Sequence, residues 1–297
     1  MTQDARQNFP DEIRGIALLG ILWVNVPYLA TSAQGFDRAV HGTWADQSVE
    51  WVVAALFQTK FYLLFCFLFG YSAHLLLSRA NGGRAFFARL IGLAALGVAH
   101  AVLFFAGDIL LTYALLGLTL LFVHRLSDSA VLRATWIVGG VTVLWMALIA
   151  ASPFLEPQTA SYDLSPLTTF DLAAAQGGFW ELAQARMALL PAYLVVISSL
   201  QWGYALAGFF LGLVAARHSV LAQPEQYASL WQTCRRLGWL GFPLTLIGAY
   251  WTAGPAAQGG FDQRPIELVG SVLVATVAPL VTAAYVGYMA LLLARWP

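Results

Sequence analysis

Residues Gly97–Gly117 read GVAHAVLFFAGDILLTYALLG, twenty-one nearly unbroken apolar positions that carry two ionisable side chains, His100 and Asp108. Such groups are costly in hydrocarbon, so they face a protein interior or a watery cavity and mark function. Gly107-Asp108 is the only turn signal in the run, which makes the stretch a hairpin of two membrane spans joined almost without a loop. His100 is expected about two turns below the outer end of its span. Eight residues separate the pair, about 12 Å along a straight helix. A direct hydrogen bond between them therefore requires a helix break near Gly107, or Asp108 on the next helix and pointing inward.

The whole chain has the same character. Of 297 residues 60% are hydrophobic and 10% charged, with a mean hydropathy of +0.71. Soluble domains carry roughly 25% charged residues, so so little charge could not cover a water-facing surface. The class is an all-α, polytopic transmembrane helical bundle. The formal net charge is zero, which gives no sign of a nucleic-acid partner. Cys66 and Cys234 are too few for a disulfide framework or a zinc site. The polar start MTQDARQNFPDE runs into the first apolar stretch without a cleavage pattern, so that stretch is expected to be a retained span rather than a signal peptide.

A span needs about 20 predominantly apolar residues. Eight candidates meet this, roughly 13–33, 48–79, 86–106, 108–124, 131–152, 190–216, 230–253 and 268–293. The second is too long for one straight crossing. Its start, Ser48 to Phe57, is expected at the interface or inside protein before the chain descends near Gln58-Thr59-Lys60. Residues 1–297 are taken as one integral membrane domain, with a five-span core over 11–152 and three further spans over 190–297. Alternate loops differ in charge: one side holds Arg6, Arg14, Arg79, Arg84, Arg89, Arg125, Arg133, Arg217, Arg235, Arg236 and Arg295, the other only Arg38, Arg186 and Arg264. The positive-inside rule puts the first side and both termini in the cytoplasm. The longer connections, 34–47, 153–189 and 254–267, are then external, and Thr168 to Leu189 could form a helix lying on the surface.

Several other polar residues interrupt the apolar runs. Asp11 and Arg14, three apart at the start of the first span, can pair on one helix face; they form either an anchor or an anion site with Arg14 on a phosphate. Asn25 falls mid-span and needs a buried partner. Lys60, the only lysine, adjoins Gln58 and Thr59; it either snorkels or faces a polar cavity. His74, His124 and His218 read as packed or interfacial. His100 and Asp108 either tie the hairpin to Lys60 or Asn25, or form part of a functional site. His41, in VHGTW on the external side, is either solvated or, with an ordinary histidine pKa of about 6.5, a base at neutral pH. No Gly-rich phosphate loop, zinc-spaced cluster or nucleophile elbow is present in the sequence, and neither metal nor haem is expected.

Four stretches resemble, in order, the YeiB-like family of bacterial integral membrane proteins. DEIRGIALLGILWVNV is similar to that family's D-x-x-R-G opening span ending in Asn. FQTKFYLLFCFLFG is similar to its K-F-x-x-L-F-x-x-L-F-G element. GVAHAVLFFAGDILLTYALLGL resembles its H-x-x-L-x-x-x-G-D-I-L hairpin, and LQWGYALAGFFLGLVAAR the span opening its C-terminal half. The resemblance implies a multi-pass protein of the bacterial inner membrane. It also implies a link to transmembrane acyltransferases, including sugar O-acetylases and heparan-glucosamine N-acetyltransferases, in which cytoplasmic acyl-CoA is the donor and the acceptor lies across the membrane. VHGTW resembles the H-x-x-W loop of the heparan group, which carries a proposed catalytic role onto His41 and Trp44. The sugar O-acetylases have histidine where this chain has Asn25. The family typically continues for another two or so spans beyond RWP, so a shortened or truncated member is expected.

The expected function is acyl transfer from cytoplasmic acyl-CoA to an external acceptor, a sugar, lipid or small metabolite. Arg14, Arg79, Arg84 and Arg89 would hold the donor's phosphates, and Asn25 and Lys60 would line its path. His41 or His100, the latter oriented by Asp108, would serve as general base, with Lys60 stabilising the oxyanion. The competing expectation is a transporter or lipid-handling protein in which Lys60, His100 and Asp108 relay protons or anions without chemistry. Membrane lipid is an expected partner, nucleic acid is not, and a homodimer is left open.

Overall fold

The computed structural model describes residues 3–30, 43–155, 165–253 and 264–295. Among them there is no β-strand. In chain order the helices are α1 (Gln3–Ala30), α2 (Trp44–Leu56), α3 (Lys60–Leu77), α4 (Gly82–Leu103), α5 (Leu110–Gly117), α6 (Leu120–Val123), α7 (Asp128–Leu155), α8 (Ser165–Gln176), α9 (Phe179–Arg217), α10 (Ala228–Ala253) and α11 (Arg264–Arg295). A 3-10 turn, Pro224–Tyr227, precedes α10.

Helix α3 is the axis of the bundle. Leu64, Cys66, Leu68 and Ala73 along it are sealed, with α9 against one side and α1, α4 and α11 around the rest. Its approach to α9 is governed by glycines. A Cβ on Gly70 would lie 2.0 Å from the Phe209 carbonyl oxygen, and one on Gly212 would lie 1.9 Å from that of Phe67. Gly208 and Gly212 are four apart on α9, the small-xxx-small spacing that lets helix backbones touch where lipid supplies no hydrophobic drive. Phe69, Phe86, Tyr113 and Phe209 fill the space beside this seam. Helices α10 and α11 use the same device, since a Cβ on Gly270 would lie 2.6 Å from the Gly248 carbonyl oxygen.

The long second element is broken, as its length required. Helix α2 ends at Leu56 and α3 begins at Lys60, with Thr59 at φ 68° between them. Ala54 and Ala55 are buried and α2 packs on α10, so the end of this start packs against protein, while Val49 and Val52 are exposed. A break exposes carbonyls that nothing in an apolar interior can satisfy except protein. Thr245 Oγ1 donates to the Ala55 carbonyl at 3.4 Å, Tyr285 Oη to that of Leu56 at 2.9 Å and Thr282 Oγ1 to that of Lys60 at 3.0 Å. Donors from α10 and α11 therefore hold the break in the N-terminal half.

Two boundaries differ from the sequence reading. Helix α4 stops at Leu103, so His100 sits in its last turn rather than two turns below its end; the amides of Phe104 and Phe105 both close on the His100 carbonyl. The surface helix expected over Thr168 to Leu189 divides at Gly177-Gly178. Its first part is α8 and its second is the opening of α9, where the Gly178 amide donates to Glu181 Oε2 at 2.5 Å. That cap starts a new helix, which continues unbroken into the apolar stretch.

Helices Trp44–Leu77 (taken across the break), Gly82–Leu103, Asp128–Leu155, Ser198–Arg217 and Pro265–Leu292 are long and apolar enough to cross a membrane by length and composition, and Leu110–Val123 is a shorter apolar one. The outward face of α7 carries Trp136, Ile137, Val141 and Leu144, all exposed, a surface suited to lipid and not to water.

Candidate functional site

The site forms where α4 turns into α5. The two helices run antiparallel, and Gly97 admits the turn: a Cβ there would meet the Leu111 amide nitrogen at 2.4 Å and Asp108 Oδ2 at 2.8 Å. Asp108, 5% exposed, uses its oxygens separately. Oδ2 accepts from the Leu111 amide at 2.7 Å, capping the start of α5. Oδ1 is 2.9 Å from His100 Nδ1. The carboxylate is thus fixed by a helix end before it fixes the imidazole. His100 is half-exposed, with a side-chain exposure of 43%, and Nε2 has no hydrogen-bond partner among the described residues. A carboxylate accepting from Nδ1–H leaves the lone pair on Nε2, the tautomer a general base needs.

Helix α9 covers one side of this dyad. Arg186 Nη1 donates to the Leu103 carbonyl at 2.8 Å, capping the end of α4. Between the hairpin and α9 lies a narrow recess bounded by Asp108, Leu111, Leu190 and Tyr193, with no room for a water molecule. Pro191 interrupts the hydrogen bonding of α9 at that level. Buried atoms without a hydrogen-bond partner among the described residues follow on α5 and α9: Thr112 Oγ1, Gln201 Oε1 and Trp202 Nε1.

The other expected residues fall elsewhere. Lys60 has no exposed surface and its ammonium donates to the Ala54 carbonyl at 3.0 Å, so it serves the α2–α3 break. His41 lies outside the described residues. Its motif partner Trp44 is exposed at the start of α2, where Thr43 and Asp46 form a capping box. Asn25 is half-buried on α1. At the opposite, arginine-rich end, Arg14 pairs with Asp11 and donates through Nη2 to Ser72 Oγ at 2.5 Å. Arg89 lies over the Phe69 ring, 5.4 Å from its centroid. Arg79 and Arg84 are exposed at the α3–α4 turn. Among the remaining histidines, His74 Nε2 is 3.4 Å from Ser78 Oγ, His124 Nδ1 is 3.0 Å from the Leu120 carbonyl, and His218 Nε2 is 2.7 Å from Asp128 Oδ2. No cluster of three metal-ligating side chains occurs among the described residues.

Ser72, Arg186, Thr245, Thr282 and Tyr285 carry roles that the sequence reading missed. Single hydroxyls in apolar helices give no local signal, and Thr282 lies 222 positions from the carbonyl it serves.

Long apolar helices and the exposed apolar face of α7 define the architecture of an all-α, multi-pass membrane protein. Known proteins narrow this. The chain is 29% identical over 249 residues to the uncharacterized protein YxaH of Bacillus subtilis, covering 73% of this chain and 59% of YxaH. It is 39% identical over 111 residues to the uncharacterized protein YeiB of Escherichia coli, covering 36% of this chain and 28% of YeiB. An uncharacterized 39.9 kDa protein encoded in the amylase 3′ region of Bacillus acidopullulyticus is 30% identical over 183 residues, covering 60% of this chain and 48% of that one. The chain is similar to these YeiB-like proteins, and the matched stretches span less than two thirds of each of these relatives. No family model matches the chain, and no solved structure does.

Proposed function

We propose that this protein is a membrane-bound acyltransferase of eight spans with both termini cytoplasmic, lying in the bacterial inner membrane. It moves an acyl group from cytoplasmic acyl-CoA to an acceptor on the external side. The observation that carries this reading is the dyad: Asp108, itself tied to the start of α5, holds His100 Nδ1 at 2.9 Å and leaves Nε2 unengaged. His100 Nε2 takes the proton of an acceptor hydroxyl or amine as that atom attacks the thioester carbonyl. The tetrahedral intermediate collapses by breaking the C–S bond, and the departing thiolate receives the proton from Nε2. Asp108 stabilises the imidazolium between these steps.

His100 is half-exposed, so an acceptor reaches its Nε2 from the outer side without passing through the narrow recess. The unpartnered Thr112, Gln201 and Trp202 atoms support a polar path along α9, because buried polar groups require partners. The arginine-rich end receives the donor's phosphates; Arg89 is eleven residues before His100 on α4, about 16 Å along the helix. Lys60 holds the break rather than the oxyanion, and His41 is the alternative base.

The test is CoA release from acetyl-CoA by the purified full chain, with and without a panel of sugar and lipid acceptors. Turnover that falls by about 10²–10⁴ in His100→Ala and persists in His41→Ala supports the dyad. Absence of acetyl-CoA binding, with full function in the His41→Ala, His100→Ala double variant, sinks it. One observation favours a transporter instead: α2 and α3 form a discontinuous helix with a buried cation at the break, as at the binding sites of many transporters. Flux that follows pH, fails in Asp108→Asn and ignores CoA would decide for that reading.

A further inference from the structure

Four arginines, Arg14, Arg79, Arg84 and Arg89, were equal candidates for the donor's phosphates, but their surroundings divide them. Arg14 from α1 and Arg89 from α4 both reach α3. Arg14 Nη2 donates to Ser72 Oγ, which in turn donates to the Leu68 carbonyl at 2.6 Å. Arg89 lies on the Phe69 ring. Phe69 and Ser72 are three apart and so neighbours on one face of α3. Among the described residues the only carboxylate paired with either guanidinium is the exposed Asp11, which pairs with Arg14. An exposed i,i+3 pair is a weak competitor for an incoming ligand.

Stacking on an aromatic ring engages the face of a guanidinium and leaves its edge donors free. Arg89 makes no hydrogen bond among the described residues, so its fork is oriented without being occupied. Arg217, at the same end, shows the contrast: it is satisfied by Asp128 Oδ1 at 2.5 Å and by the His124 carbonyl at 2.8 Å. Two like charges brought to neighbouring residues of α3 from separate helices, with one exposed carboxylate on Arg14 and none on Arg89 among the described residues, form an anion site.

We infer that Arg14 and Arg89, with Ser72 between them, clamp a single phosphate group, Arg89 donating through its edge and Arg14 through the nitrogen now held by Asp11. Arg79 and Arg84 are outside the clamp. The inference rests on the acyl-CoA reading only for the phosphate's source, which is either the soluble donor or an anionic lipid headgroup.

The experiment uses the full chain in nanodiscs of phosphatidylcholine alone, titrated with adenosine 3′,5′-bisphosphate, with adenosine as the phosphate-free control. Expected is binding of the bisphosphate alone, weakened about tenfold or more in Arg14→Gln and in Arg89→Gln and unchanged in Arg84→Gln, with Arg89→Lys intermediate because it keeps the charge and loses the fork. A parallel arm measures enrichment of phosphatidylglycerol around the protein in mixed nanodiscs. If the bisphosphate does not bind but that enrichment depends on Arg14 and Arg89, the clamp stands with a lipid phosphate and the acyl-CoA reading fails. If neither probe depends on these two arginines in variants that retain the wild-type melting temperature, the clamp is overturned.

Discussion

The ammonium of Lys60 donates to the carbonyl of Ala54 at 3.0 Å, so a fully buried cation closes the end of α2 at the helix break. That hydrogen bond is the only one it makes among the described residues. Burying an ion costs on the order of several kcal/mol, whereas leaving a buried carbonyl unsatisfied costs about 1–3 kcal/mol. The balance predicts that Lys60→Met unfolds at the same temperature as wild type or higher. Lys60→Ala, which adds a cavity, loses about 2–5 kcal/mol. Thermal unfolding of the two variants in one detergent checks this, and a large loss in Lys60→Met would refute it.

The hydroxyls that reach the same break from α11 are expected to matter individually. Thr282→Val and Tyr285→Phe keep shape and remove the donors to the Lys60 and Leu56 carbonyls. Each should cost about 1–3 kcal/mol. Proteolysis of the folded protein should become faster near residues 57–59 in both variants and stay unchanged in Thr233→Val, whose hydroxyl bonds within its own helix.

Asp108 has two separable tasks. Asparagine can still accept from the Leu111 amide, so Asp108→Asn should keep the cap and change stability by less than about 0.5 kcal/mol. Asp108→Ala loses the cap and about 1–2 kcal/mol. Turnover should fall in both variants, by about 10²–10⁴, because neither side chain stabilises an imidazolium at His100. Equal turnover in Asp108→Asn and wild type would remove the aspartate from the chemistry.

Glycine substitutions should divide by packing. Gly212→Ala places a Cβ 1.9 Å from the Phe67 carbonyl oxygen, forcing α3 and α9 apart at a cost of about 1–3 kcal/mol or more. Gly139→Ala on α7 meets nothing within 4 Å and should gain about 0.5–1 kcal/mol from helix propensity. Opposite shifts in unfolding temperature are the expected result.

Part of the site was legible in residues 97–117. A histidine and an aspartate in an apolar run, with a glycine before the aspartate, were enough to expect a hairpin and to state what a bond between them would require. The bond exists because α4 stops at Leu103 and Asp108 caps α5. The overlong second element likewise announced a break near Gln58-Thr59-Lys60 through length alone. The partners of that break were not legible, because Thr245, Thr282 and Tyr285 look like ordinary residues of apolar helices and their carbonyl acceptors are far away in sequence.

Composition and hydropathy by themselves determined the class, since 60% hydrophobic and 10% charged residues leave no soluble surface to build. They also marked the helices, because apolar runs report burial in lipid or protein whatever their neighbours are. Only the tertiary structure decided how the polar residues are shared out. It assigned Lys60 to a backbone carbonyl, Asp108 to His100, and Arg14 and Arg89 to the neighbouring residues Ser72 and Phe69 of α3. Hydrogen bonds depend on distances of about 3 Å between groups, and those distances are set by how helices pack, which a linear pattern does not encode.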